Sequence, residues 1–468
     1  VFILNKFLKE KLEGICYLLS NKTNTSIEGA NNMTAEIGIM NRMGVALAAD
    51  SAVTVGSSGR QKVFNSADKL FSLSKRHPVG IMVYGGADFM GVPWETIIKV
   101  YREGLGKDTF PKLSEYADNF FEFLTTDQRY VTEQSEEMLV LRNFYAHLNV
   151  LLERVNKVIY AVFKNAEPFE YQVAHILSAE VEYELHSLNR LKYLQGFSED
   201  FISEFLGKHG SGIIQIINDQ INFTVDDDTL HWMLQISALL FCKDIFQHNT
   251  TGVVIAGYGD DEIFPILHEY TVEGIVNGVL KYKLKQVTEV AAERSSEKVT
   301  AAILPFAQQE MVHSFTKGID PALKNTIIET LHNVLKHYPG AIDHALMENG
   351  EGPLSDSSSE IIKQVSLDAF EAIQKHIEKI QMEVYARPIV DIVSILPKDE
   401  LAAIAEALVN LTSFKRKVSI DAETVGGPID VAIISKGDGF IWIKRKHYFK
   451  PELNYNFFQN YLRGDNHA

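Results

Sequence analysis

Cysteine is almost missing from this chain: Cys16 and Cys242 are the two in 468 residues, and they stand far apart. That excludes a disulfide framework and fits a reducing, cytoplasmic compartment. Positive charge is also short. Lys and Arg number 45 against 61 Asp and Glu, for a net charge of −16, which argues against a nucleic-acid partner. The basic runs Lys415-Arg416-Lys417 and 444–447 read as solvated ends rather than a phosphate site. No apolar run is long enough to span a bilayer, so no membrane partner is expected. The fifteen histidines show no zinc spacing. Even the loose group His332, His337 and His344 lacks the i, i+4 pairing of a helix site, so neither metal nor cofactor is expected.

At 46% hydrophobic the chain has ample material for a core, and its length alone permits more than one domain. The most informative stretch is 34–56, TAEIGIMNRMGVALAADSAVTVG. Ile37 and Ile39 alternate with Glu36 and Gly38, predicting a half-buried strand. Asn41-Arg42-Met43-Gly44 is a turn, and 45–49 an apolar return strand. The hairpin brings Asp50 back beside Thr34. Lys69, opening the strand-like run 69–73, is placed to supply a cation there, with Lys62 as its competitor. Were Thr34 the first residue of the mature chain, its hydroxyl would be the nucleophile and its own amine the base. An α-amine suits that task because it titrates near neutrality.

This segment resembles the start of proteasome β-type subunits and their bacterial two-ring relatives, the N-terminal-nucleophile hydrolases. Gly38, Gly44, Ala49, Asp50, Thr54 and Gly56 fall at the family's spacing from Thr34, and Lys69 matches after a short insertion. Residues 79–88, VGIMVYGGAD, resemble the next strand and turn, where the resemblance assigns the oxyanion N–H to Gly85 or Gly86. Residues 252–278 look like the central hairpin. Their Gly257-Tyr258-Gly259 lacks the third glycine and following helix of a dinucleotide loop and reads as a tight turn. Residues 421–436 resemble the late segment. There Asp421 and Thr424 are the polar side chains carried over, although Val425 stands directly before Gly426-Gly427 and places both one residue back. Asp430 is a runner-up carboxylate expected to face solvent. Ser295-Ser296 is a weak counterpart of the family's Gly-Ser-Gly turn and reads better as a helix cap before a helical stretch 301–317.

The resemblance implies an α+β fold: a four-layer αββα sandwich of two antiparallel sheets, in one domain over 34–468. It implies a threonine-type peptidase acting on peptide or protein substrates, with Thr34, Asp50, Lys69, Gly85, Asp421 and Thr424 catalytic. Thr54 and Gly56 would align substrate, and a homo-oligomeric ring and an unfoldase partner are part of the same expectation. A small-molecule amidase or acylase of the same fold and an inactive proteasome-like scaffold are the alternatives. Residues 1–33 read either as a propeptide or as a misassigned leader with Met33 the initiator, and the second is preferred because the family presents glycine before its threonine.

Two helical insertions are expected, over about 100–250 and 301–411. Leu139, Leu141, Phe144, Leu148, Leu151, Leu152, Val155, Val158, Ile159 and Val162 recur at helical spacing, and no proline falls between Pro111 and Pro168. Breaks are expected at 208–212, 338–340 and 350–359. A thickened outer helical layer is preferred over a partner-docking surface.

Overall fold

The computed structural model describes residues 35–55, 62–164, 166–246, 250–295, 297–418, 426–456 and 458–459. Among the described residues fifteen strands run in chain order: β1 (Glu36–Asn41), β2 (Gly44–Ala49), β3 (Val53–Val55), β4 (Lys62–Phe64), β5 (Leu70–Ser72), β6 (Val79–Gly85), β7 (Asp88–Phe89) and β8 (Val92–Pro93), then β9 (Thr251–Gly257), β10 (Ile266–Val276), β11 (Val279–Val290), β12 (Lys298–Val299), β13 (Ala301–Pro305), β14 (Asp430–Ser435) and β15 (Gly439–Lys444). They form a five-stranded sheet, β13-β1-β2-β14-β15, and a six-stranded sheet, β12-β11-β10-β9-β6-β5, with two small hairpins β3-β4 and β7-β8. Pairing is antiparallel except for β11 with β12. The fold is therefore mixed α and β with antiparallel sheets, as the sequence suggested.

Strand alternation decides what each face touches. Met40, Val45, Leu47 and Ile434 of the first sheet meet Met82, Val254 and Leu267 of the second in one core. The reverse face of the first sheet, with Ile37, Ile39, Ala46 and Val431, packs on Leu401, Ala405 and Val409 of the helix Lys398–Val418. The reverse face of the second, with Val79, Ile81, Val83 and Ile255, packs on Trp94, Ile98 and Phe120 from helices α1 (Trp94–Leu105) and α2 (Leu113–Thr126). Every residue of β1 is thus buried, where a half-buried strand was expected. The alternation that looked like solvent contact is the alternation between two packed layers.

Between β8 and β9 lie α1, α2 and four longer helices: α3 (Glu133–Phe163), α4 (Glu170–Asn189), α5 (Asp200–Gln220) and α6 (Asp227–Cys242). The last four share a core of their own that includes Leu148, Val181, Phe205, Leu239 and Val276 of β10. Thr132 and Ser135 close a reciprocal cap on α3, and Asp226 caps α6. The break expected at 208–212 is absent, because α5 runs through it. A Cβ at Gly212 would come within 2.9 Å of Leu141, so this glycine permits close helix approach rather than a turn.

The second block holds α7 (Gln309–Lys317), α8 (Pro321–Glu348), α9 (Asp356–Ile380), a π-helical turn Gln381–Ala386, α10 (Arg387–Val393) and α11 (Lys398–Val418). Its first residues are the edge strand β13 rather than helix. Helix α8 continues through Pro339 where a break was expected. The gap near 350–359 is real but shorter, since Ser355 already caps α9. Gly257 is no tight turn either: it leaves β9 at φ +142° against the Pro78 carbonyl, and an eight-residue connection reaches β10.

Candidate active site

The β1–β2 hairpin returns the chain as its pattern predicts, with Glu36 opposite Ala49. The Asp50 N–H donates to the Ala35 carbonyl at 3.1 Å, and the Ala35 N–H donates to Asp50 Oδ1 at 3.3 Å. Thr34 itself lies outside the described residues. It is joined covalently to that Ala35 nitrogen, so the predicted neighbourhood of Asp50 and the start of β1 is present.

Lys69 reaches into the same place. Its Nζ lies 2.5 Å from Asp50 Oδ1 and 3.0 Å from Glu36 Oε1, with all three side chains buried. Burial pulls the ammonium's pKa down, but Glu36 and then Asp50 outweigh that, and the net direction is upward. Lys62 sits in β4 opposite Val55, and its side chain is outside the described ones. The second oxygen of Asp50 accepts from the Gly426 N–H at 3.1 Å, and the Ser51 N–H donates back to the Gly426 carbonyl at 3.3 Å. The late Gly-Gly segment therefore closes over Asp50.

Glu36 was not singled out from the sequence. Its signal was parity: it shares an inward face with Gly38, whose Cβ would meet Leu267 and Phe306, and with Met40. A half-solvated β1 puts Glu36 on the polar side and hides its pairing with Lys69.

The other predicted residues divide. Gly85 ends β6 with φ +83°. Val83 N–H donates to the Lys69 carbonyl at 2.9 Å, so the Gly85 N–H, two residues on, points toward the same strand end. Gly86 abuts Thr251, whose Oγ1 would lie 2.4 Å from an added Cβ. Thr54 pairs with Val63 in the small hairpin β3-β4, its side chain outside the described ones. Gly56, Asp421, Thr424 and Ser296 lie outside the described residues.

Asp430 corrects its expectation. It is buried rather than solvated and holds Lys446 at 2.5 Å, while Lys446 also reaches Asp68 at 2.9 Å. Its inward place on β14 follows from its parity with Ala432 and Ile434. Ser295 corrects another: its hydroxyl accepts from the Lys298 N–H in a turn before β12 and caps no helix. The residues that lead into α7 are Phe306, Ala307 and Gln308, without a serine.

A second polar group adjoins the first. Tyr84 donates its hydroxyl to Glu269 at 2.5 Å, and Lys285 pairs with the same carboxylate at 2.7 Å. Burial, then Glu269, pushes the Tyr84 phenol up, and Glu36 adds to that. Phe306 stacks on Tyr84, and its N–H donates to the Glu36 carbonyl at 3.0 Å. Beyond them a cavity of about 460 Å³ is lined by Glu269, Lys285, Leu304, Phe306, His313 and Val390.

Chemically, one lysine locked between two carboxylates is a fixed cation and a poor proton acceptor. Among the described residues no His, Cys, Asp and Glu group has the geometry to hold a metal ion, and no helix is long and apolar enough to cross a membrane. No family model matches the chain, and no curated protein matches it.

Proposed function

We propose that this chain is a threonine-dependent N-terminal-nucleophile amidohydrolase that cleaves peptide bonds through a free Thr34. The observation that carries the reading is the buried Lys69, held by Asp50 and Glu36 beside the residue that follows Thr34. The two facing sheets with helices outside each are read as the αββα sandwich of that class.

In this mechanism Thr34 Oγ attacks the carbonyl carbon and its proton passes to the Thr34 amine. Lys69 does not take that proton, because two carboxylates keep it an ammonium. The base is therefore the α-amine, whose ordinary pKa near 8 suits the task. The Gly85 N–H donates to the oxyanion, a contribution of about two to three orders of magnitude in rate for such a donor. Collapse breaks the C–N bond, the amine's proton goes to the leaving nitrogen, and water then hydrolyses the Thr34 ester. Assembly into a homo-oligomeric ring belongs to the same reading.

The test is the N-terminus of protein purified from its native source, together with turnover of a fluorogenic peptide. A chain that begins at Thr34, active as purified and inactive as Thr34→Ala with unchanged circular dichroism, is the expected result. A chain that retains Met33 has an acylated amine and sinks the proposal, as does undiminished turnover by Thr34→Ala.

A further inference from the structure

Two carboxylates and one lysine meet at the start of β1, and the two carboxylates are not equivalent. Both oxygens of Asp50 also accept backbone N–H groups, from Ala35 and from Gly426, so Asp50 ties the hairpin to the late segment as well as holding Lys69. Glu36 gives Lys69 a second carboxylate at 3.0 Å, with its side chain fully buried. One lysine would balance Asp50 alone. With Glu36 present the trio carries a net negative charge in a place that water does not reach, and an ion there is costly unless it is used or compensated.

The alternation of β1 says what lies closest. Ala35, Ile37 and Ile39 belong to the outer face against Leu401 and Ala405, while Glu36 and Met40 belong to the inner one. Counting back by two from Glu36 gives position 34, and same-face neighbours on a strand are about 7 Å apart. The α-amine of a chain beginning at Thr34 is also three bonds from the Ala35 nitrogen that donates to Asp50. We infer that Glu36 is a positioning residue of the proposed hydrolase: its carboxylate fixes Lys69 as an ammonium beside Asp50 and holds the proton on the Thr34 amine to higher pH, so that turnover begins in mildly alkaline solution. This rests on the reading of Thr34 as the first residue and nucleophile.

The other charged groups around this place, among the described residues, bring no net positive charge to it. On β6 the Tyr84 hydroxyl donates to Glu269 of β10, which Lys285 of β11 also pairs. Across the first sheet Asp430 of β14 stands in register with Glu36 through Ala49, about 10 Å away, and shares Lys446 with Asp68. From α11 the Arg416 guanidinium donates to Gln308 and pairs with Glu310 of α7. His313 of α7 lines the cavity beyond Phe306, and burial, then Lys317, favours its neutral form. One charge about 8 Å from the amine, at an effective dielectric near 20, moves a titration by about 1–1.5 pH units.

Labelling of the α-amine with acetic anhydride across a pH series, read by mass spectrometry of the N-terminal peptide, follows this proton and needs no turnover. The wild-type midpoint is expected at about 9, roughly one unit above an ordinary α-amine. Glu36→Gln, whose amide oxygen still accepts from Lys69, brings it to about 8, while Glu36→Asp keeps the charge and stays within about 0.3 units of wild type. The acid limb of kcat/KM against pH moves by the same amounts. Should glutamine disturb the circular dichroism, Glu36→Thr, neutral and suited to a strand, decides by the same shift. A midpoint that Glu36→Gln leaves in place overturns the inference even in an active hydrolase. So does an equal shift by Glu36→Asp, which would mark a merely structural role. A chain that retains Met33, or turnover that survives Thr34→Ala, overturns the hydrolase reading and this inference with it, and the labelling midpoints separate the two failures.

Discussion

Replacing Lys69 by methionine removes one charge and leaves two facing carboxylates without their shared cation. Glu36 and Asp50 both bond the same nitrogen, at 3.0 and 2.5 Å, so their oxygens are close neighbours. Two like charges about 4 Å apart at an effective dielectric near 20 repel by about 4 kcal/mol. That repulsion disfavours ionising both at once, so the folded variant holds a proton on one of them over a pH range in which the unfolded chain has released it. The sign follows: a folded state that binds a proton the unfolded chain has released loses stability as pH rises. Lys69→Met is expected to lie about 1 kcal/mol below wild type at pH 4.5 and about 3–5 kcal/mol below it at pH 7.5, the usual cost of breaking a buried pair. Urea unfolding at the two pH values, followed by tyrosine and tryptophan fluorescence, reads this directly. Adding Glu36→Gln should recover at least half the loss at pH 7.5 and flatten the pH dependence. A variant equally stable at both pH values, or within 0.5 kcal/mol of wild type at pH 7.5, would refute the reasoning.

Glu136 accepts from Lys208, His209 and the Asn277 N–H at 2.8, 3.1 and 2.9 Å. Burial alone would raise this carboxyl, but the bonds from His209, Lys208 and Asn277 draw it down to about 2. Its stabilisation is therefore complete above the ordinary carboxylate pKa of 4.5 and lost as pH falls toward 2. Discounted for the half-exposed Lys208, Glu136→Gln should cost ~2 kcal/mol at pH 7 in urea unfolding, a gap that closes in acid. The Tyr84 ring lies over Gly252, where an added Cβ would come within 1.9 Å of its Cζ. Gly252→Ala should cost about 1–3 kcal/mol, and combining it with Tyr84→Phe should cost less than the sum, because both break the Tyr84–Glu269 bond.

The site was legible where chemistry and register coincide. Asp50 and Lys69 could be placed because a tight hairpin leaves little freedom over where its second strand ends, and the buried pair formed there. What escaped depended on layers. Glu36 and Asp430 both read as polar positions facing water, and both point inward because a second sheet covers that side of the first. One sequence carries the alternation of each strand but not what lies opposite each face. Glycine and proline misled for a related reason. Gly212 sits where two helices approach closely, and Pro339 sits in the seam of a hairpin. Both residues read as punctuation only when the helix around them is imagined alone.

The β10–β11 hairpin has a consequence for how the protein comes apart. Its base belongs to the six-stranded sheet, while its tip reaches the inserted helices. There Glu273 pairs with Lys281 at 2.5 Å, Lys281 also donates to the Leu240 carbonyl at 2.6 Å, and Asn277 engages Glu136. Both side chains are 1% exposed, Asn143 of α3 donates to Glu273 and the Leu240 carbonyl of α6 accepts from Lys281, so lifting the helices away would break both bonds that tie this buried pair to them. A segment interrupting the chain as a detachable module would need an interface that water could re-enter. This one has been welded by buried charge, so helices and sheet should melt as a single cooperative unit. Excising the helices would leave the sheet with a wound that the remaining sequence has nothing to fill.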